Sequence, residues 1–153
     1  MNTENTLYNI SEIEVSYKTK VKAAYRHKVN VSKDTADICR SLYKDGTIEW
    51  REEMTMLCLN RQNQVLGYFR LSAGGTAGTV MDTKIIFQIA LNCNASGIIL
   101  SHNHPSGETK PSDTDIRLTK QIQQAGKLLE IKVLDHIILT EDSFYSLADE
   151  GQM

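Results

Sequence analysis

The chain has little of several things that usually announce a protein's class. Its three cysteines, Cys39, Cys58 and Cys93, are odd in number and widely scattered. They support neither a disulfide framework nor a cysteine-rich zinc knuckle, and they fit a reducing cytoplasm. No apolar run approaches the roughly 18 residues of a membrane span; the strongest, Ile98–Leu100 and Ile137–Leu139, are short. The N-terminus, MNTENTLYNISEIE, has no basic stretch followed by an apolar one, so no signal peptide is expected. A general excess of positive charge is missing too: the net charge of −2 gives no reason to expect a nucleic-acid binder. One local bias remains, because Lys18, Lys20, Lys22, Arg26, Lys28 and Lys33 follow one another with no acidic residue between them. Such a run serves either as a phosphate-contacting arm or as a solvated strand face. The loop AGGTAG at 73–78 lacks the Gly-Lys-Ser/Thr ending of a phosphate-binding loop, which removes the nucleotide-site reading. No internal repeat or low-complexity tract is visible.

What is present is the composition of a soluble globular domain, 41% hydrophobic and 24% charged, in a length that fits one core. Residues 1–33 read as an N-terminal extension with strand character, and 34–153 as the domain. Ser32 is placed to cap a helix carrying Ala36, Cys39 and Leu42–Tyr43 on one side. The β-rich stretches 52–60 and 65–72, joined through the polar turn RQNQ, predict a hairpin. A second helix starts with Asp82 or Thr83 as cap and sets Ile85, Ile86, Ile89, Ala90 and Cys93 on one face. GIILS at 97–101 is a short, continuously apolar strand of the buried kind. A third helix runs from Ser112 to about Leu129, with Leu118, Ile122, Ala125 and Leu129 as its apolar seam. IKVLDHIIL at 131–139 is another strand, and the tail SFYSLADEG packs as a short helix or turn. Helices alternating with buried strands imply an α/β fold, a mixed β-sheet sandwiched by helices.

The chemistry concentrates in IILSHNHPSGETKPSDTD, residues 98–115. Residues i and i+2 of an extended backbone project to the same side, so His102 and His104 converge on one point without distortion. Pro105 forbids continuation of the ladder, which leaves both imidazoles at the end of a buried strand, where α/β sheets place their sites. Each part has an ordinary meaning as well. A histidine at a strand end is commonly a hydrogen-bonded structural residue. Ser112 and Asp115 form a capping pair, the hydroxyl accepting from a first-turn amide and the carboxylate complementing the helix dipole. Taken together, however, two convergent imidazoles and a carboxylate at a helix N-terminus supply two nitrogens and one oxygen. That set suits Zn²⁺ with a fourth position left to water, the catalytic rather than the closed structural arrangement. Capping and ligation are compatible.

The string HNHPSGETKPSDTD resembles the JAMM pattern of the MPN-plus metalloprotease superfamily: His-x-His, seven residues, then Ser-x-x-Asp. HNHPSG followed by PS and an aspartate is similar to the RadC-like branch in particular. LNRQNQVLG (59–67), SAGGTAGTVMD (72–82), ALNCNASGIIL (90–100) and LDHIIL (134–139) extend the likeness over about residues 45 to 151. The resemblance implies a JAMM fold, related in architecture to cytidine deaminases. It also implies one zinc ion on His102, His104 and Asp115. A general-base glutamate is implied a few residues before LN, where Glu52 and Glu53 stand side by side. Glu52 matches when Met54 is taken as the usual large apolar position, and strand alternation lets only one of the two reach the metal. In the implied mechanism Ser112 helps stabilise an oxyanion, and Asn103 points away from the metal and fixes the loop. Asp135 and His136 are equally a second shell or structural, and are not placed in the site.

The implied activity is zinc-dependent hydrolysis of amide or isopeptide bonds in a protein or peptide substrate. The alternative is a DNA-associated role in repair or recombination. Longer RadC relatives carry a helix-hairpin-helix region, of which the roughly 45 residues before the resemblance show no signature. A nucleobase deaminase would need His-x-Glu with Pro-Cys-x-x-Cys, and neither occurs. The literal string HNH does not make a nuclease of that name, in which the three residues are dispersed.

Overall fold

A computed structural model describes residues 8–74 and 81–153. Five strands form one mixed sheet: β1 (Glu53–Leu59), β2 (Val65–Ala73), β3 (Gly97–Asn103), β4 (Lys132–Leu139) and β5 (Phe144–Ser146), in the order β2-β1-β3-β4-β5. β1 is antiparallel to both β2 and β3, β3 and β4 are parallel, and β5 returns antiparallel to β4. A parallel pair needs a long crossover, and α3 (Asp113–Leu128) supplies it. α1 (Ser32–Ser41) precedes the sheet, and α2 (Thr83–Asn92) links β2 to β3.

The central strands are apolar along almost their whole length because both faces are covered. Met56 and Cys58 of β1 and Ile98 and Leu100 of β3 pack with Ile86, Phe87 and Ala90 of α2 and Ile122 of α3. Their neighbours in sequence, Leu57, Leu59 and Ile99, join Ile137 and Leu139 against Ala36 and Cys39 of α1. Side-chain alternation thus divides one sheet between two cores, the expected sandwich. His102 continues the Ile98, Leu100 series onto the α2–α3 side, and Asn103 continues the Ile99, Ser101 series onto the α1 side.

Several local expectations are corrected. Ser32 does not cap α1; the N-cap is Val31, because the Asp34 carboxylate accepts from the Asn30 and Val31 amides, and the Ser32 hydroxyl instead bonds Asp149. The described residues before α1 form no strand; they hold a 3-10 turn at Ala23–Tyr25 and a bridge from Lys28 to Gln64. Asp82 caps α2, its carboxylate accepting from Lys84 and Ile85. The buried face of α2 takes Phe87 in place of Ile85, which is 40% exposed. On α3 the buried positions are Thr119, Ile122 and Gly126, not a seam through Leu118 and Leu129. The tail forms the short strand β5 and then a turn, the second of the two forms expected of it. The loop expected at 73–78 lies, from residue 75 on, outside the described residues. No helix among the described residues is long and apolar enough to cross a membrane.

Gly126 shows how tightly α3 returns to the sheet. Its carbonyl accepts from Ile131 at 2.9 Å, and a Cβ built on it would stand 2.4 Å from the Ile131 carbonyl oxygen. Gly126→Ala gains up to about 1 kcal/mol of helix propensity, but pressing a methyl group into backbone costs about 1–3 kcal/mol. A lowered urea midpoint is expected; an unchanged or raised one would show that the backbone yields there.

Candidate metal centre

The pairing of β1 with β3 builds the site. Met54 stands opposite His102, so the residue two places before Met54 on the same face falls beside the residue two places after His102. That residue is Glu52, whose Oε1 lies 4.0 Å from His102 Nε2. Glu53 turns to the other face, where Arg51 Nε and Arg70 Nη1 each lie 3.3 Å from its carboxylate. The adjacent glutamates are therefore separated by partners as well as by the pleat.

His102 is fully buried. Burial, reinforced by the neighbouring His136 ring, holds it well below the usual imidazole range. His104 follows β3 with its amide still donating to Leu139 O, and the turn after it closes at Gly107, whose φ of +84° suits glycine. Within that loop the Glu108 carbonyl lies 2.7 Å from His104 Nδ1. A carbonyl can only accept, so Nδ1 carries a proton, and in the neutral ring His104 Nε2 is bare.

Asp115 enters from the first turn of α3. Ser112 caps the helix, its hydroxyl accepting from the Asp115 amide at 3.0 Å, while Asp115 Oδ2 accepts from the Ser112 amide at 2.8 Å. This reciprocal capping box holds the carboxylate in one orientation. Its Oδ1 lies 3.5 Å from His102 Nε2, and its Oδ2 lies 3.8 Å from His104 Nε2. Capping and facing the histidines are carried out by the same side chain.

The three groups fit a metal. One ligand atom each from His102, His104 and Asp115 lie within 4.8 Å of one another. The two Nε2 atoms face each other at 2.9 Å. The donors are two neutral nitrogens and one carboxylate oxygen, the set expected of an open zinc site. In front of them is a groove of about 460 Å³ bordered by Glu52, His104, Glu108, Lys110 and Ser112.

His136, not placed in the site from the sequence, belongs beside it: its Nε2 lies 2.7 Å from His102 Nδ1, and its Nδ1 lies 2.7 Å from Thr119 Oγ1. Burial pushes this imidazole down to about 3, so the ring is neutral near pH 7. A histidine in the middle of the apolar run IKVLDHIIL was the available signal. Thr119 carried none, since a threonine beside Leu118 does not enter an apolar count. Asp135 turns away, accepting from Ser146 Oγ and from the Ala148 and His136 amides.

The family described as RadC-like JAB domain matches residues 29–152. The chain belongs to this family. A UPF0758 protein of Flavobacterium johnsoniae is 44% identical over 124 residues, 81% of this chain and 53% of its own length. A UPF0758 protein of Alkaliphilus metalliredigens is 33% identical over 94% of this chain and 61% of its own length. UPF0758 protein YfjY of Escherichia coli is 43% identical over 66% of this chain and 63% of its own length. The chain thus spans about half to three-fifths of the relatives it matches. The five-stranded mixed sheet with three helices agrees with a JAB-type architecture. Membership points to a metallohydrolase-type fold, and the relatives' names specify no activity.

Asn103, between the two histidines, ties the RadC-like site to the segment carrying Glu52. Its Nδ2 donates to the Ile48 and Arg51 carbonyls at 2.6 and 2.8 Å, and its Oδ1 accepts from the Glu53 amide at 2.7 Å and from the Tyr43 hydroxyl at 3.0 Å. Asn103→Ala leaves these groups unsatisfied, each such loss costing on the order of 1–3 kcal/mol. A urea midpoint close to that of the unaltered protein would contradict this account of residues 48–53.

Proposed function

We propose that this RadC-like domain is a zinc-dependent metallopeptidase that cleaves amide or isopeptide bonds. The observation carrying this reading is the meeting of His102 Nε2, His104 Nε2 and the Asp115 carboxylate at the head of an open groove, with Glu52 4.0 Å from His102 Nε2. His102, His104 and Asp115 would hold the ion. A zinc ion so held supplies an acidified water, its pKa brought toward about 7, and an electrophile for a carbonyl oxygen.

The chain's own residues would do the rest. Glu52, at the rim, takes a proton from the attacking water and returns it to the leaving nitrogen. Ser112, whose hydroxyl oxygen accepts from the Asp115 amide, keeps its own proton to donate to the oxyanion of the tetrahedral intermediate. The capping box keeps Asp115 from rotating, and Asn103 keeps the Glu52 segment against β3. The substrate is a protein or peptide chain laid along the groove.

The test is metal analysis of the purified protein followed by a peptide-library cleavage screen. Glu52→Gln is expected to retain zinc and to lose hydrolysis by at least the factor of about 10²–10⁴ associated with a general base. His104→Ala is expected to lose the metal itself. A fully active Glu52→Gln variant would remove Glu52 from the mechanism, and a metal-free protein that still cleaved peptides would sink the reading as a whole.

A further inference from the structure

We infer that Thr119 and His136 are positioning residues that decide which nitrogen of His102 is bare, so that Nε2 is the one presented to a metal. The inference deepens the metallopeptidase reading and takes its functional meaning from it. The hydrogen-bond assignment itself follows from the geometry alone.

The assignment starts at the one group with no choice. The Asp115 backbone carbonyl can only accept, and Thr119 Oγ1 lies 2.6 Å from it, so the hydroxyl proton is on that line. A hydroxyl has one proton. Toward His136 Nδ1, 2.7 Å away, Thr119 therefore offers only a lone pair, and Nδ1 must carry the hydrogen. A neutral ring has a single N–H, which leaves His136 Nε2 bare. That atom lies 2.7 Å from His102 Nδ1, so His102 Nδ1 is the donor. His102 Nε2 is then bare and turned toward His104 Nε2 and Asp115 Oδ1, at 2.9 and 3.5 Å. Among neutral rings, no other placement gives one hydrogen to each of the three inner contacts that run from the Asp115 carbonyl to His102 Nδ1.

The surroundings enforce it. His102, His136 and Thr119 are all 0% exposed, so solvent cannot substitute for a missing partner. The path also closes on itself. It begins at the carbonyl of Asp115 and ends at a nitrogen facing the carboxylate of Asp115, so one residue of α3 sets both the proton order and the third donor. Because His104 Nε2 is bare through the Glu108 carbonyl, two lone pairs confront each other at 2.9 Å, an arrangement that repels until a cation is shared. A Thr119 that merely back-bonds its own helix and a His136 that merely fills the core would fix no tautomer.

Long-range ¹H–¹⁵N spectra of the metal-free protein, labelled at histidine, read the ring protons directly. Both His102 and His136 are expected as the Nδ1-protonated form. Thr119→Val keeps the shape and removes the hydroxyl; His136 is then expected to lose its single tautomer, His102 to follow it, and Zn²⁺ affinity against a chromophoric chelator to fall about 10–100-fold. Thr119→Ser is expected to restore both. An Nε2-protonated His102 in the unaltered protein overturns the inference, as does a folded Thr119→Val variant that binds Zn²⁺ like the unaltered protein. If Thr119→Val does not fold, the unaltered spectrum and Thr119→Ser still decide. Correct tautomers and intact zinc affinity without cleavage of any peptide would uphold the inference and sink the metallopeptidase reading alone.

Discussion

A fully buried imidazole at the end of an apolar strand is the constraint from which the rest of the site follows. His102 stands where β3 leaves the core, and with no exposed surface both of its nitrogens must be partnered from within the protein. The parallel neighbour β4 supplies one partner, His136, on the side facing the core. The other nitrogen is left to what arrives from the loop and from α3, namely His104 and Asp115. The antiparallel neighbour β1 brings Glu52 alongside because its register sets Met54 opposite His102. Two strands and one helix are thus fixed around a single ring.

The loop between β3 and α3 uses local chemistry economically. Both prolines of the chain, Pro105 and Pro111, bracket it. The first ends the strand ladder and the second precedes the helix cap, so little conformational freedom remains to be lost when the site forms. Inside it the Glu108 carbonyl orients His104, and the Ser112–Asp115 box orients the carboxylate. The interactions that stabilise a helix N-terminus and a tight turn are the same ones that aim the donors, which is how a site on a loop gains the rigidity of one built on regular elements.

Much of this was legible in the sequence because it depends on short-range periodicity. The alternation through Ile98, Leu100, His102 and His104, and the spacing of Ser112 to Asp115, fix direction within a few residues. The mixed sheet between helices followed from apolar runs interleaved with amphipathic ones. What escaped is governed by polar partners brought together from distant segments. The sequence favours Glu52 over the adjacent Glu53, but the partners of Glu53, Arg51 and Arg70 on β2, are not visible in it. Ser32 looks like a cap because it is a serine before a helical pattern, yet the Asp34 carboxylate accepts from the Asn30 and Val31 amides and the N-cap falls at Val31. At the start of the α3 seam an apolar count favours Leu118, whereas the buried place goes to Thr119, whose hydroxyl has two partners waiting. A buried polar residue is invisible to hydrophobic periodicity until its partner is known.

The site is graded from back to front, and the gradient matches the work proposed for it. Side-chain exposure rises from 0% at His102 through 14% at Asp115 and 17% at His104 to 24% at Glu52. Groups that must not move sit deepest, where every hydrogen bond is strengthened by the low dielectric and none can be exchanged for water. A proton carrier needs the opposite, since it must change charge and partner during a reaction, and surrounding it with fixed dipoles would raise the cost of each transfer. Asn103 accepts from the Glu53 amide and donates to the Arg51 carbonyl, so the backbone on either side of Glu52 is held while its side chain borders the groove. Preorganisation here is a property of the backbone and of the inner imidazoles, and exposure increases toward the one side chain that would have to act.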